Sequence, residues 1–305
     1  MTDYSHLDPK VVDLLELPEL ERANRMLIDR FITHERLKPI MDHIDFLRFS
    51  PAKSRASGLV VSGPPGSGKT MVARAIERRY PPIPAEGSLA ASLPVLTIEM
   101  TGAREAKALY DRILTELGVP DVSRYVGSDR ERMVLKLCRA ANLRLLVLDE
   151  IQDILTSTAR QQRIALDTIK FLMNELSLPV LALGTSEAPD ALQVDQHLNA
   201  RFTYRSLPIW KQDEYLVNFL DALERVLPLK NPSQLSSLPL TTPLIRLSGG
   251  VLDPMVKLIT HAAAHAVESG EERITPALLE RARVEMPSAA VRLALETERK
   301  RRQAA

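Results

Sequence analysis

The sequence has one cysteine, few aromatic residues and no long apolar run. Because Cys138 is the sole cysteine, an internal disulfide is excluded, and its apolar neighbours predict a buried thiol. Aromatic residues make up 4% of the chain, so Leu, Val, Ile and Ala must build the core. No stretch approaches the roughly 20 apolar residues of a membrane helix, and the first residues do not resemble a signal peptide. We therefore expect a cytoplasmic protein with no membrane partner.

The sequence also lacks an excess of positive or negative charge. Forty basic residues stand against 39 acidic ones, which gives a net charge of +1. This balance excludes the broad basic surface of a protein that binds DNA as a monomer, so any contact with nucleic acid must be local. The four cations Arg299–Arg302 are typical of the solvated end of a helix.

The apolar pattern predicts a helical arm, then an α/β layer, then a second helical part. Residues 8–50 carry apolar side chains at helical spacing. Short runs of Val, Leu and Ile then alternate with helical stretches, as in a parallel sheet that is buried on both faces. The predicted strands are Leu59–Val61, Val95–Ile98, Leu145–Leu148 and Val180–Leu183, and the predicted helices between them are Thr70–Tyr80, Ala103–Leu117, Glu131–Ala141 and Ile164–Leu176.

After Pro208 the strand pattern stops. Glu214–Val226 and Pro254–Val267 are predicted helices, and the Pro/Ser-rich segment Pro228–Pro243 between them is predicted to be a loop. Thr275 followed by Pro predicts the start of a last helix, because Pro is favoured at the first helical position.

A phosphate-binding loop follows the first predicted strand. The segment Gly63-Pro-Pro-Gly-Ser-Gly-Lys69-Thr70 fits the pattern G-x-x-x-x-G-K-[ST] completely. Its glycines let successive N–H groups point at phosphates ahead of a helix, while Lys69 neutralises the β- and γ-phosphate oxygens and Thr70 holds Mg²⁺. The predicted nucleotide-binding residues are Gly63, Pro64, Pro65, Gly66, Ser67, Gly68, Lys69, Thr70 and Met71.

Two acids follow the third predicted strand. Asp149 and Glu150 come directly after Leu145–Leu148, at the end of a parallel strand where ligands bind. We expect Asp149 to hold the metal through a water, and Glu150 to orient and deprotonate the attacking water. Small-molecule kinases usually lack this pair of acids, so the sequence predicts an ATPase. The predicted cofactors are ATP and Mg²⁺.

Two later positions are candidates for contact with the γ-phosphate. Thr185 follows the fourth predicted strand, with Ser186 as its substitute, although a plain helix cap remains an alternative. Arg201 is placed to reach the γ-phosphate of a neighbouring subunit, and Arg205 is the second choice. A local ion pair remains the alternative for the arginine.

With these elements in order, the chain resembles the AAA+ ATPases, specifically the TniB/TnsC transposition regulators. The likeness covers most of the chain, including the N-terminal helical arm and the phosphate loop. The motifs that carry it further are Asp149-Glu-Ile-Gln-Asp153, Gly184-Thr-Ser-Glu-Ala188, and Asp195-Gln-His-Leu-Asn-Ala-Arg201-Phe202 running into Leu207-Pro-Ile-Trp210.

This resemblance implies a P-loop AAA+ αβα sandwich with a mostly parallel five-stranded sheet and a small all-helical lid. We expect an arm at 1–50, an ATPase core at 51–208, the lid at 209–286 and a basic tail at 287–305. It also implies that the ATP-bound protein forms a homo-oligomer, a ring or filament, on double-stranded DNA, helps select the target site, and recruits or stimulates a separate transposase.

The resemblance assigns DNA contact to the loop and helix after the second strand. The cations there are Arg104 and Lys107, and contacts to phosphates would give sequence-independent binding. A solvated helix face is the equally weighted alternative.

The sequence departs from the family in the lid. Many AAA+ lids carry an arginine after a Gly-rich turn, but here Ser248-Gly-Gly-Val-Leu-Asp253-Pro254 is followed by Lys257 as the nearest cation. We therefore expect slow, regulatory hydrolysis. His261 and His265 are four residues apart, yet without a third ligand we do not expect zinc.

Two other functions remain open at this stage. A replication initiator or helicase loader would share the ATPase core, although the residues after Pro287 are too few for a winged-helix domain. A self-contained P-loop kinase would leave Arg201 without a task.

Overall fold

The structure is a computed structural model, and it describes residues 4–28, 32, 34–51, 55–84, 91–102 and 105–291. The chain divides into two compact units. The sheet unit is Arg36–Pro208, and the helical unit combines Met1–Glu35 with Ile209–Ala305. The predicted arm at 1–50 is therefore divided between the two units.

Five strands pair within the described part of the sheet unit, and every pairing between them is parallel. They are β1 (Gly58–Ser62), β2 (Val95–Glu99), β3 (Leu145–Asp149), β4 (Val180–Gly184) and β5 (Phe202–Ser206).

The described helices belong to both units. They are α1 (Pro9–Val12), α2 (Glu19–Met26), α3 (Lys38–Phe49), α4 (Lys69–Arg79), α5 (Ala106–Glu116), α6 (Ser128–Ala140), α7 (Ala159–Glu175), α8 (Ala188–Gln193), α9 (Gln196–Asn199), α10 (Glu214–Glu224), α11 (Leu238–Ser248), α12 (Leu252–Ser269) and α13 (Pro276–Val284). Short 3₁₀ helices cover Asp13–Glu16, Glu35–Leu37, Val122–Arg124 and Ile151–Thr156. None of the helices in the described residues has both the length and the apolar character needed to cross a membrane.

The strand order is β2-β3-β4-β1-β5. All residues of β3 and β4 are buried, which explains why their sequences are nearly continuous apolar runs. Because all strands run in the same direction, their carboxyl ends meet at one edge of the sheet. The predicted parallel α/β fold with a five-stranded sheet is confirmed.

The strand β5 lies at the edge of the sheet and was not among the strands located from the apolar runs. Only Phe202 of its five residues is buried. Among the described strands it pairs with β1 alone, in the register Gly58↔Phe202 to Ser62↔Ser206.

The core of the sheet unit is aliphatic. It joins side chains of the strands to the inner faces of α5, α6 and α7. Cys138 of α6 lies in this core with 3% of its surface exposed, and burial raises the pKa of its thiol to about 11. The predicted buried cysteine is confirmed.

The helical unit has a second aliphatic core, to which the N-terminal segment contributes directly. Ala23 and Met26 of α2 are fully buried in it. The guanidinium of Arg22 forms a bidentate ion pair with the carboxylate of Glu272, and Arg22 is 1% exposed. Helix α2 is therefore an integral part of this unit.

The predicted loop Pro228–Pro243 is wrong over its last residues, because α11 begins at Leu238. Pro239 is tolerated in the first helical turn, where its missing N–H has no partner to lose. Burial of Leu240 and Leu244 on one face stabilises the helix despite Pro243 in its interior.

Candidate active site

The predicted phosphate loop connects β1 to α4 at the carboxyl edge of the sheet. Gly66 and Gly68 have φ angles of 76° and 94°, a conformation that favours glycine. A Cβ on Gly63 would lie 2.7 Å from Ser67 Oγ and 2.8 Å from the carbonyl oxygen of Leu207. The loop therefore folds back on itself, and α4 begins at its end with the positive pole of the helix toward it.

Lys69 is the first residue of α4 and is 6% exposed. Its ammonium donates to the carbonyl oxygens of Gly63 at 3.0 Å and Pro64 at 2.9 Å. Among the residues that the structure describes, no carboxylate lies within ion-pair distance of it. Burial lowers the pKa of Lys69, and the negative charges of Glu150 and Asp149 oppose this shift. A buried cation held mainly by neutral carbonyl groups is suited to an anionic ligand such as phosphate.

Thr70 and Asp149 meet beside Lys69. The Thr70 hydroxyl donates to Asp149 Oδ2 at 3.1 Å, and the Glu150 N–H donates to Asp149 Oδ1 at 3.0 Å. Burial raises the pKa of the Asp149 carboxyl, while these two hydrogen bonds act in the opposite direction. A hydroxyl and a carboxylate are hard oxygen donors, which is the chemistry that Mg²⁺ requires.

Glu150 leaves the end of β3 in the left-handed region, with φ at 56°. Its half-buried side chain accepts a hydrogen bond from Gln152 Nε2. Gln152 Oε1 in turn accepts from the backbone N–H of Thr185, at 2.9 Å. The candidate base is thus connected through one amide to the end of β4.

An acidic cavity of about 460 Å³ opens beside these groups. Five acidic residues and two threonines line it: Glu77, Glu99, Glu116, Asp149, Glu150, Thr70 and Thr97. Clustered negative charge attracts a divalent cation and repels an uncomplexed triphosphate. The site is therefore suited to a nucleotide that binds together with its metal.

The remaining predicted positions of the loop lie around this arrangement. The carbonyl oxygen of Pro64 also accepts from Ser67 N at 3.1 Å, which closes the turn. Pro65 is exposed, and Met71 is half-buried on α4. The structure brings Lys69 and Thr70 together with the acids of β3.

Thr185 lies between β4 and α8. Its Oγ1 accepts from Glu187 N at 3.4 Å, a long contact of the helix-cap kind, and Ser186 beside it is exposed. Arg201 lies just before β5, and its guanidinium donates to Asn174 Oδ1 at 2.7 Å. Arg205 is exposed on the edge strand.

Of the two predicted DNA-binding cations, one lies within the described residues. Arg104 lies outside the described residues, whereas Lys107 is exposed near the start of α5. The side chain of Arg112 donates to the carbonyl oxygens of Glu99 and Thr101, so α5 is connected to the end of β2 and to the turn that follows it.

Lys257 and the two histidines that were considered as metal ligands, His261 and His265, lie on α12 of the helical unit. Lys257 pairs with Asp253 at 2.7 Å on α12. His265 is 1% exposed, and its Nε2 lies 3.2 Å from the carbonyl oxygen of Glu285. Burial lowers the pKa of His261, with a smaller contribution from the neighbouring His265.

Sequence reasoning missed Gln152 and the outer carboxylates of the cavity. Glu99 had a usable signal, because it ends β2 as Asp149 ends β3, and the two are paired in register. Glu77 and Glu116 had none, because each is an ordinary acid on a helix.

Comparison with protein-family profiles matches residues 22–212 to the family described as Bacterial TniB protein. The chain belongs to the TniB family. The matched region contains the phosphate loop, the acids of β3 and Trp210. The predicted resemblance is confirmed, while a comparison with curated proteins finds no significant match.

Several solved structures share the fold of this TniB family chain. The ADP form of the Aeropyrum pernix ORC2 protein has a TM-score of 0.60 at 16% identity, covering 86% of this chain and 72% of that chain. The Aeropyrum pernix ORC1 protein in complex with DNA has a TM-score of 0.58 at 16% identity, covering 86% of this chain and 68% of that chain. The Walker-type ATPase of Pyrococcus abyssi has a TM-score of 0.53 at 15% identity, covering 90% of this chain and 77% of that chain. At these identities the likeness establishes the αβα fold alone.

Proposed function

We propose that this TniB family chain is an ATP-dependent regulator of DNA transposition. In this proposal, binding of ATP with Mg²⁺ at Gly63–Thr70 drives the protein to oligomerise on double-stranded DNA. The oligomer takes part in target-site selection and recruits or stimulates a separate transposase. The observation that carries the proposal is the cluster of Lys69, Thr70, Asp149 and Glu150 within a chain of this family.

The arrangement of the loop supports nucleotide binding. The N–H groups at the start of α4 and the ammonium of Lys69 bind phosphate oxygens. Thr70 and Asp149 would hold Mg²⁺, which when bound offsets negative charge on the triphosphate.

The position of Glu150 supports hydrolysis. Its carboxylate orients a water molecule and accepts a proton from it as the water oxygen attacks the γ-phosphorus. The bond between the γ-phosphorus and the bridging oxygen breaks, and that oxygen leaves with ADP as phosphate is formed. Thr185 is the proposed contact to the γ-phosphate or to this water. We propose that Arg201, or else Arg205, contributes positive charge to a neighbouring subunit's site.

The DNA-binding part of the proposal rests on the family and on Arg104 and Lys107. The structures that share the fold include an ORC1 protein in complex with DNA. Contacts to phosphates suit a protein that must bind many target sequences, and they predict strong dependence on salt.

Electron microscopy of the chain with duplex DNA tests the assembly directly. We expect rings or filaments on DNA with a non-hydrolysable ATP analogue and Mg²⁺, and far fewer with ADP or with Lys69→Ala. Particles that remain monomeric with the analogue and DNA would contradict the proposal.

A second assay separates transposition from replication, since a helicase loader would also assemble. Stimulated strand transfer by a separate transposase supports the regulator. Loading of a replicative helicase without such stimulation would favour the replication alternative.

A further inference from the structure

Gln152 connects two parts of the site that follow different strands, Glu150 after β3 and Thr185 after β4. It lies in the 3₁₀ helix Ile151–Thr156 that follows Glu150. Its Nε2 donates to Glu150 Oε2, and its Oε1 accepts from the backbone N–H of Thr185 at 2.9 Å. No other side chain in the described residues makes hydrogen bonds to both of these residues.

The orientation of this amide is fixed by its two partners. The N–H of Thr185 requires an acceptor, so Oε1 faces it, and the NH₂ group then faces the carboxylate of Glu150. The reversed amide would place oxygen against carboxylate and NH₂ against N–H, and both contacts would be lost.

The backbone at the end of β4 leaves room for the contact. A Cβ at Gly184 would lie 2.3 Å from Gln152 Oε1 and 2.9 Å from the Cβ of Ala188. The φ angle of Gly184 is not in the left-handed region, so the restriction at this position is one of space. Any larger residue would displace the glutamine amide.

The side chain of Glu150 needs an external support of this kind. Its backbone turns out of the strand at φ 56°, so the direction of the strand does not orient the carboxylate. Gln152 supplies a hydrogen bond that holds it, and that hydrogen bond is anchored on the turn that carries Thr185.

We propose that Gln152 is a positioning residue for ATP hydrolysis, which holds the carboxylate of Glu150 in place from the turn at Gly184–Thr185. It acts through Glu150, and it transmits any shift of that turn to the base. This inference rests on the proposed function, because it assigns Gln152 a task in hydrolysis.

The test compares the full chain with Gln152→Leu, which removes both hydrogen bonds, and Gln152→Glu. The glutamate keeps the length of the side chain and can still accept from Thr185, but it cannot donate to Glu150. We expect both variants to lower kcat about 10- to 100-fold, because a misplacement near 1 Å can have an effect of this size. The KM and the calorimetric Kd for ATP with Mg²⁺ should stay within about threefold, since Gln152 contacts neither the loop nor Lys69.

A matched control is Gln193→Glu, which makes the same change of charge at an exposed position at the end of α8. It should hydrolyse ATP as the wild type does. Melting temperatures of all variants establish that they are folded, and Gln152→Glu keeps the test decisive should Gln152→Leu fail to fold.

A double-mutant cycle distinguishes positioning from a general structural effect. In the Glu150→Gln background the carboxylate is gone, so Gln152→Leu should change the residual single-turnover rate by less than about twofold. An equal fractional loss in both backgrounds, or wild-type kcat in Gln152→Leu, would overturn the inference alone. A wild type that releases no phosphate would overturn the proposed function, and this inference with it.

Discussion

At the scale of single residues, Glu150 has a position that depends on its backbone and on its neighbours. Its left-handed φ takes the chain out of β3, and Gln152 donates to its carboxylate. Left-handed backbone at a residue other than glycine is uncommon and concentrates at functional sites. Its neighbour Asp149 remains in the strand and bonds to Thr70. The two adjacent acids thus have different backbone conformations and different hydrogen-bond partners.

The change Glu150→Gln should separate binding from hydrolysis. The amide keeps the shape of the side chain but cannot accept a proton, so we expect hydrolysis to fall by a factor of about 10²–10⁴. Affinity for ATP with Mg²⁺ should change little, and oligomers should accumulate on DNA. Phosphate release and electron microscopy measure the two effects; turnover at the wild-type rate would exclude Glu150 as the base.

The residues that a sequence can predict here are those with a fixed spacing. The loop pattern identifies Lys69 and Thr70, and the acids at the end of an apolar run identify Asp149 and Glu150. Gln152 could not be found this way. Its contact to Thr185 joins the segments that follow two different strands, β3 and β4, and it depends on the missing Cβ of Gly184.

At the scale of elements, apolar runs predict only the strands that are buried. The strands β1, β3 and β4 were located because they lie inside the sheet, and β2 because its residues are still largely buried. The edge strand β5 buries one residue in five, so its sequence carries no such signal. Helix α11 was missed in part because its prolines oppose local helix formation while its packing favours it.

The N-terminal helix α2 should stabilise the helical unit through Arg22. The side chain of Arg22 is 2% exposed and that of Glu272 is 11% exposed, and the guanidinium contacts both carboxylate oxygens. Arg22→Ala leaves the buried carboxylate of Glu272 with the half-exposed ammonium of Lys230, at 3.9 Å, as a much weaker partner. We therefore expect the free energy of unfolding to fall by an amount at the lower end of roughly 3–5 kcal/mol.

A matched control exists on the same helix. Arg25 pairs with Glu21 at 3.9 Å, with about half of each side chain exposed. Arg25→Ala should lower the free energy of unfolding by less than about 1 kcal/mol. Denaturant titration followed by circular dichroism gives both values; equal effects at the two positions would contradict the assigned role of the buried pair.

At the scale of the whole molecule, the proposal requires subunits to complete one another's sites. An oligomer of Arg201→Ala subunits should lose hydrolysis, because each nucleotide site then lacks the arginine that the neighbouring subunit supplies. Mixing these subunits with Glu150→Gln subunits should restore part of the activity, since some interfaces then combine an intact base with an intact arginine.

The local hydrogen bond of Arg201 supplies the control for this experiment. Asn174→Ala removes the partner at 2.7 Å and leaves the arginine in place. If Arg201 acts in trans, Asn174→Ala should retain most hydrolysis. Absence of rescue in the mixture, together with a loss in Asn174→Ala equal to that in Arg201→Ala, would assign the arginine a structural task within its own chain.

The proposed assembly on DNA and the proposed regulation of transposition both depend on one event, the binding of ATP with Mg²⁺ at the loop before α4. Isothermal titration calorimetry of the folded chain with ATP, with and without Mg²⁺, measures it most directly. The account predicts saturable binding that weakens strongly when Mg²⁺ is omitted. It also predicts that Lys69→Ala loses binding. The control Lys136→Ala, which changes an exposed lysine of α6, should bind ATP as the wild type does. Binding that Lys69→Ala leaves intact, or a wild type that takes up no nucleotide with Mg²⁺, would contradict it.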